Sequence, residues 1–481
     1  MSLRRADVRF ALPAPARRAV VFELPEWREA LSSAGVEVVD GENGVDLAVA
    51  PARLARQAAA TGAAMVLLEG RAGPGALRDA GYRVRRFLPL PDVAAPDLLL
   101  PLTRSAPAEY ALQRWRPAAS GVKRARNQTV AALMRLGALP AVRPLQVAGI
   151  RSDGPPFLVE AAGSMGVPPD SSWFMTLGQG DALTRAVFHL FRRGSSEPEW
   201  ILKFARVRGH HEPFRRDELG LSLAQAAGES VARRVPRLLG RSECDGLPFS
   251  VETAAVGERL STLLRRPGGH REKVAAIERV AEWLIDVARS TTRPTDRLGP
   301  ELARLEDVVA RWTSSGAAAD LVQRLPALQG TLQHNDLGSW NIVVGGEAFT
   351  AVDWESARET GLPLWDILYF LVDALPLLEG ADTAEERADR ALALLRGELQ
   401  SCPLLFAWIQ RAVAATHVPP DAVGAIATLC WLHHGLSHVD RGQAARRVQP
   451  DDFVAVPPVE RIAPVWLSDP ALGPGWDRWR A

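Results

Sequence analysis

Two acids and one amide near residue 340 have the side-chain types and the spacing that phosphoryl transfer requires. Asp336 and Asn341 lie five residues apart, and Asp353 follows twelve residues later. A carboxylate can accept the proton of an attacking hydroxyl, while amide and carboxylate oxygens are ligands that suit Mg²⁺. We therefore predict that Asp336 is a base and that Asn341 and Asp353 bind Mg²⁺ beside a transferred phosphoryl group.

Two apolar runs around a glycine turn must position these side chains. Residues 342–344 and 349–352 have strand patterns, and residues 345–347 form the turn between them. The open end of this hairpin would bring Asn341 and Asp353 together. An ordinary hairpin with polar ends is the alternative, but the acid that closes the second strand, followed by Trp354 and Glu355, favours a catalytic one.

The segments 334–341 and 353–355 resemble the signature of the aminoglycoside phosphotransferase and choline kinase family, and the resemblance covers about the last two thirds of the chain. It implies a protein-kinase-like fold, ATP and Mg²⁺ as cofactors, and a small hydroxylated acceptor such as an aminoglycoside, a sugar or choline. It also implies catalytic roles for Asp336 and His334, with His334 ordering the loop, and a brace for that loop from Asp366. Protein kinases match less well, because Asn335 and Gly338 stand where their loop carries Arg and Lys.

The scarcity of lysine provides a test of this resemblance in the residues before 334. Of the 57 Lys and Arg residues only three are Lys, and Lys203 lies in an apolar strand pattern at 200–205. The resemblance implies that Lys203 contacts the α- and β-phosphates; a lysine that only reaches water is the alternative. Residues 215–224 have helical spacing with Leu219 and Leu223 on one face, and we predict Glu218 on this helix as the partner of Lys203, with Glu212 as the fallback.

Two further segments resemble nucleotide-binding parts of the family. Gly178 and Gly180 lie in a turn between strand patterns, where glycine lets backbone amides approach phosphates. The run 248–260 resembles a hinge, so backbone groups near Glu252 and Ala254 are expected to meet the adenine edge.

The region after residue 265 is predicted to be mostly helical, with helices at 271–289, 301–312, 384–399 and 422–438. Three acids could line a pocket for a cationic acceptor, and three tryptophans could stack on a sugar or enclose a quaternary ammonium, although core packing is the stronger expectation for the tryptophans. These residues are Glu355, Glu359, Asp373, Trp340, Trp354 and Trp365. We predict no metal site at the histidines 433, 434 and 438.

Composition bounds the remaining classes. The 481 residues are 47% hydrophobic and 23% charged, which is enough for two or three cores, and the net charge of +1 implies no nucleic-acid partner and no membrane partner. The three cysteines are far apart and form no metal or redox motif, as expected in a reducing compartment. Because the first residues lack an apolar signal run, we expect a cytoplasmic protein.

The first 105 residues have a different character. Strand patterns at 18–24, 36–39, 46–50, 64–69 and 82–88 alternate with helical patterns, which predicts a small α/β domain with a mainly parallel sheet. The domain loosely resembles a Rossmann-like methyltransferase. The glycine-rich turn after the first strand is missing, however, because residues 23–27 are Glu-Leu-Pro-Glu-Trp, so an interaction or scaffolding role is favoured.

The resulting prediction is an α+β chain with a bilobal protein-kinase-like fold behind a Rossmann-like domain. We place the α/β domain at 1–105, a helical connector at 106–150, a nucleotide-binding lobe at 151–255 and a helical lobe with the catalytic loop at 256–481. The predicted activity is transfer of the γ-phosphate of Mg-ATP to a small-molecule hydroxyl. A pseudokinase that only binds or scaffolds, and a bifunctional enzyme with a working methyltransferase domain, remain open.

Overall fold

A computed structural model describes residues 3–41, 44–70, 75–102, 105–115, 121–135, 145–177, 183–312, 320–448 and 458–480. The chain divides into two compact units. The first comprises Met1–Phe214, Leu238–Ala254 and Ala445–Val454, and the second comprises Arg215–Arg237, Ala255–Ala444 and Ala455–Ala481.

The strands of the described residues are β1 (Arg18–Val21), β2 (Glu37–Val39), β3 (Leu47–Pro51), β4 (Met65–Gly70), β5 (Arg83–Leu90), β6 (Leu98–Pro101), β7 (Leu145–Ile150), β8 (Ser172–Thr176), β9 (Ala186–Phe191), β10 (Trp200–Phe204), β11 (Leu238–Cys244), β12 (Leu247–Thr253), β13 (Glu258–Arg259), β14 (Thr331–Gln333), β15 (Ile342–Gly345), β16 (Ala348–Ala351) and β17 (Arg358–Gly361).

The α-helices are α1 (Pro25–Ser33), α2 (Ala55–Ala60), α3 (Gly75–Asp79), α4 (Ser105–Tyr110), α5 (Gly121–Arg135), α6 (Phe157–Ala161), α7 (Glu212–Ala226), α8 (Glu229–Ala232), α9 (Leu260–Arg265), α10 (His270–Ser290), α11 (Gly299–Trp312), α12 (Trp365–Leu378), α13 (Ala384–Arg396), α14 (Cys402–Thr416), α15 (Val423–Val448) and α16 (Pro458–Ser468).

One sheet runs through the first unit. Its strand order is β11-β12-β10-β9-β8-β6-β5-β7-β4-β3-β1-β2. The strands β2, β1, β3 and β4 are parallel, whereas β7 enters antiparallel between β4 and β5, and β6 joins β8 antiparallel. The strands of the first 105 residues and those after residue 145 therefore share backbone hydrogen bonds.

The N-terminal segment belongs to the core of this unit. The ring of Phe10 meets the ring of Phe204 edge to face, with 4.8 Å between centroids, and both are buried with Trp27 and Phe188. Arg206, which follows β10, pairs with the buried Asp7 at 3.0 Å. The strand that carries Lys203 is thus supported by the first residues of the chain.

The second unit contains the hairpin β15–β16, extended by β13, and the pair β14–β17. Helix α12 is buried along almost its whole length and packs against α10, α13 and α14. Helix α13 begins with a capping box, in which the Thr383 hydroxyl accepts the Glu386 amide and the Glu386 carboxylate accepts the Thr383 amide. Within the described residues, no helix combines the length and the apolar character that crossing a membrane requires.

The mixed helix and sheet architecture that the sequence predicts is confirmed, as is the hairpin around the glycine turn at 345–347. The predicted strands of the first 105 residues are present, with bounds that differ by a few residues. The Rossmann-like character of that region and the proposed domain bounds stay predictions. The strand β7, at the end of the stretch predicted as a helical connector, was not expected.

Helix α7 forms where its spacing predicts it. Leu219, which that spacing placed on one face with Leu223, is 56% exposed, while Asp217, Gly220 and Leu221 are buried. Asp217 is not among the residues that the apolar spacing singled out. The structure uses that acid as a buried acceptor, described below.

Candidate active site

The open end of the β15–β16 hairpin brings Asn341 and Asp353 close together. Ile342 pairs with Ala351, and one residue further out the Val352 amide donates to the Asn341 carbonyl at 2.9 Å. Asp353 comes next and adopts a left-handed backbone, with φ of 72°. The hairpin register therefore sets the spacing that the sequence predicted.

Asp336 lies beside Asn341. The side-chain amide of Asn341 donates to the Asp336 carbonyl at 2.9 Å and lies 3.4 Å from its carboxylate oxygen Oδ2. The Tyr369 hydroxyl lies 3.4 Å from the other carboxylate oxygen, Oδ1. Asp336 is partly buried as a residue.

The electrostatics of Asp336 connect it to two more acids. Burial, followed by the negative charges of Asp353 and Glu355, raises the pKa of Asp336 well above its ordinary range, and the positive charge of Arg441 acts in the opposite direction. The negative charges of Asp353 and Glu355 therefore act on Asp336. Negative charge near a carboxylate favours a proton or a cation there.

Asp366 braces the loop that carries Asp336. Its two carboxylate oxygens accept the backbone amides of His334, at 2.6 Å, and of Asn335, at 2.8 Å. Asn335 has a left-handed backbone, with φ of 64°, and its side-chain amide donates to the Ser356 carbonyl at 3.2 Å. Burial raises the pKa of Asp366 to about 6, although both amide hydrogen bonds favour its charged form.

A second acid of α12 holds the next part of the loop. The Ser339 amide donates to Asp373 at 2.7 Å, and Arg387 of α13 pairs with the same carboxylate. Because Asp366 and Asp373 lie on one rigid, buried helix, they hold residues 334–339 at two points. The sequence identified the first of these acids as a brace and missed the second.

Helix α7 anchors the segment after Asp353. The buried Asp217 accepts the Trp354 amide at 2.9 Å. Gly220, one turn on, lies so close that a Cβ atom there would meet the Trp354 carbonyl oxygen at 2.4 Å and the Ala357 methyl at 2.8 Å. Neither residue was a sequence candidate, and apolar spacing does not identify them.

The histidines are structural neighbours of the loop. His334 is buried, places Nε2 3.0 Å from the Val352 carbonyl oxygen, and lies 4.7 Å from the Trp354 ring. Burial lowers the pKa of His434 well below its ordinary value and that of His438 to about 4. Although His434 and His438 are one helical turn apart, no cluster of three or more His, Cys, Asp or Glu residues in the described chain is arranged to hold a metal ion.

A Mg²⁺ ion fits the oxygen atoms at the hairpin end. Since the amide nitrogen of Asn341 donates to Asp336, its side-chain oxygen is left as an acceptor, and Asp353 offers a carboxylate. A divalent cation here would also relieve the crowding of acids around Asp336. Mg²⁺ commonly takes one or two protein carboxylates, with water and phosphate oxygens completing its shell.

Lys203 is buried in the first unit. Its ammonium lies 3.0 Å from a carboxylate oxygen of Glu252, which is also buried, on the neighbouring strand β12. Lys203 therefore pairs with Glu252, a residue that the sequence analysis placed near the adenine edge. Glu218 and the fallback Glu212 stay predictions as partners.

The other nucleotide-binding predictions are placed only in part. Gly178 and Gly180 lie outside the described residues. The Ala254 amide donates to the Glu199 carbonyl at 2.9 Å, which continues the pairing of β10 and β12. Other backbone groups of this segment would have to meet a base, and that contact stays a prediction.

Comparison with protein families gives one match. Residues 185–404 match the model of the phosphotransferase enzyme family. This range contains Lys203, Asp336, Asn341 and Asp353. A comparison with curated proteins gave no match.

Three solved structures are similar to part of this chain. A thermostable mutant of an aminoglycoside phosphotransferase, in a ternary complex with ADP and hygromycin B, is 18% identical over 63% of this chain and 97% of its own, with a TM-score of 0.34. A choline/ethanolamine kinase family protein from Mesorhizobium loti is 17% identical over 66% and 96%, with a TM-score of 0.38. Glucosamine kinase in complex with glucosamine, ADP and inorganic phosphate is 11% identical over 62% and 83%, with a TM-score of 0.36.

Proposed function

We propose that this chain, whose residues 185–404 match the phosphotransferase enzyme family, is a kinase that transfers the γ-phosphate of ATP to a hydroxyl of a small molecule. The single observation that carries the proposal is the grouping of Asp336, Asn341 and Asp353 at the end of one hairpin. A hairpin with only a structural purpose does not require a carboxylate on which the charges of two further acids act.

In the proposed reaction, Asp336 accepts the proton of the acceptor hydroxyl as that oxygen attacks the γ-phosphorus. The new bond joins the acceptor oxygen to phosphorus, and the bond between phosphorus and the bridging oxygen of ADP breaks. The raised pKa of Asp336 suits proton acceptance, because a more basic carboxylate takes a proton more readily. Tyr369 and Asn341 orient the carboxylate through their contacts with it.

Asn341 and Asp353 would hold Mg²⁺, which neutralises charge on the phosphate oxygens when it is bound. Lys203, held by Glu252, contacts the α- and β-phosphates in this proposal. A buried ammonium that is paired with a carboxylate is pre-positioned, so little ordering remains when a phosphate binds. His334 serves by fixing the loop and moves no proton.

The direct test is an ADP-release assay with Mg-ATP and a panel of sugars, polyols and amino alcohols, followed by mass spectrometry of the acceptor. Asp336→Asn is nearly isosteric and keeps an oxygen beside Asn341. We expect it to lower kcat by at least about 10²-fold, as loss of a general base does, while ATP affinity changes little. Lys203→Met is expected to weaken ATP binding, measured by calorimetry.

Asp421→Asn is the matched control, because Asp421 is exposed and only pairs with Arg480. Turnover that survives in Asp336→Asn would show that Asp336 is not the base. If the wild-type protein binds Mg-ATP and phosphorylates nothing in the panel, a binding role of the pseudokinase kind takes its place.

A further inference from the structure

Arg387 on α13 contacts two side chains beside residues 334–341 that could otherwise bind a cation from an acceptor, Asp373 and Trp340. It pairs with Asp373, and its guanidinium carbon lies 5.9 Å from the centre of the Trp340 ring. Asp373 is among the three acids, and Trp340 among the three tryptophans, that the sequence suggested for a cationic acceptor. One side chain therefore bears on both kinds of cation-binding group.

Both carboxylate oxygens of Asp373 are already in use. Oδ2 accepts the Ser339 amide at 2.7 Å, and Oδ1 faces Arg387. The Asp373 side chain is only 6% exposed. An ammonium group of an acceptor would have to displace Arg387 before it could pair with this acid.

Trp340 is the tryptophan that retains exposed surface, since Trp354 and Trp365 are each 1% exposed. It lies edge to face with Tyr369, 6.1 Å between ring centres, and the Tyr369 hydroxyl lies 3.4 Å from Asp336. Trp340 and Tyr369 thus lie between Arg387 and the carboxylate of Asp336. A quaternary ammonium at Trp340 would meet the guanidinium that is already there.

Further positive charge reinforces this side of the site. Burial, and then the charge of Arg387, lower the pKa of Arg265 on α9, which places a second guanidinium near the first. Arg441 of α15 acts on Asp336, and the neighbouring His434 is neutral. Among the described residues, the acids that act on Asp336 are Asp353 and Glu355, and in the proposed reaction Asp353 serves the metal.

We propose that Arg387 determines the charge class of the acceptor, which is a neutral polyhydroxylated compound such as a sugar or polyol, without an amino or quaternary ammonium group. The inference rests on the proposed function and adds the acceptor class to it. The hydroxyl groups of such a compound can accept hydrogen bonds from a guanidinium. The C–H faces of its carbon skeleton can stack on Trp340. Cationic acceptors are repelled by the same residue.

The test compares kcat/KM for pairs of acceptors in which an amino group replaces one hydroxyl, such as glucose with glucosamine and a neutral polyol with its amino analogue. We expect the wild-type enzyme to favour the neutral partner by roughly tenfold or more, which corresponds to about 1.4 kcal/mol. Arg387→Gln frees Asp373 and Trp340, so the preference should fall to within about threefold or reverse. Arg387→Lys keeps the charge and should keep the preference.

Arg396→Gln is the control, since it removes a comparable arginine–aspartate pair, with Asp469, from the same helix. It should leave the ratio unchanged. Because the readout is a ratio, a general loss of activity or stability in Arg387→Gln does not imitate the result. A wild-type preference for the amino partner overturns this inference alone, whereas absence of phosphorylation of every acceptor overturns the proposed function and the inference with it.

Discussion

Asp366 holds the loop that carries Asp336, and we expect the substitution Asp366→Asn to affect activity and stability differently. Asp366 accepts the amides of His334 and Asn335 at 2.6 and 2.8 Å from a buried position. Asp366→Asn keeps the shape and one acceptor oxygen but leaves one of the two amides without its partner. We expect the Asp336 loop to lose its fixed position, and kcat to fall by roughly 10- to 100-fold, since small displacements of reacting groups are costly.

The stability of the wild-type protein, in contrast, is expected to depend on pH through Asp366. The pKa of Asp366 rises from its ordinary value of 3.8 to about 6 on folding, so the folded state binds the proton more tightly than the unfolded state. The stabilisation from this proton is complete below pH 3.8 and is lost as the pH rises towards 6, when the folded protein must keep a buried charge. The difference corresponds to about 3 kcal/mol in total.

Asparagine carries no such titration. We therefore expect the wild-type protein to lose about 2 kcal/mol relative to Asp366→Asn between pH 4.5 and pH 7.5. Urea unfolding of both proteins at several pH values measures this difference. A difference for Asp366→Asn that is constant with pH would refute the argument from burial, and an unchanged kcat would refute the brace.

Three further outcomes are expected from separate contacts. Breaking the buried pair with Glu252→Gln should cost about 3 kcal/mol of stability, and adding Lys203→Met to it should cost less than the sum of the two, measured by a double-mutant cycle in urea. Gly220→Ala should destabilise the protein by about 1–3 kcal/mol and lower kcat, because its Cβ would meet the Trp354 carbonyl oxygen at 2.4 Å; unchanged kinetics would separate α7 from the site. Thr383→Ala should cost about 1 kcal/mol through loss of the capping box and leave kcat/KM as in wild type.

The closeness of Asp336, Asn341 and Asp353 was predictable from the sequence because it depends on local spacing. Asp336, Asn341 and Asp353 are joined by a hairpin whose register follows from alternation and a glycine turn, so residues close in sequence become close in space. Lys203 was singled out because lysine is rare in this chain, and its position in a strand was predictable from the apolar pattern around it.

The supports of the site were not predictable in the same way. Asp217 and Asp373 are acids, and sequence reasoning places acids on the surface by default. Each of them instead accepts a hydrogen bond from a backbone amide that lies far away in sequence. Such pairing depends on which helices pack together, and apolar periodicity carries no information about that. The pairing of Lys203 with Glu252 likewise depends on the order of β10 and β12, which strand patterns alone do not specify.

The arrangement of acids in the second unit explains why so few of them are available for chemistry. Asp217, Asp366 and Asp373 each bind a backbone amide next to the loop or the hairpin end, so their negative charges are used to hold main chain in place. A carboxylate that accepts backbone amides is poorly suited to bind a mobile cation as well, because both need the same lone pairs. The acids whose charges act on Asp336 are Asp353 and Glu355. In the proposed enzyme, the contacts that hold residues 334–339 would also narrow the range of acceptors, because Arg387 pairs with the same Asp373 that accepts the Ser339 amide.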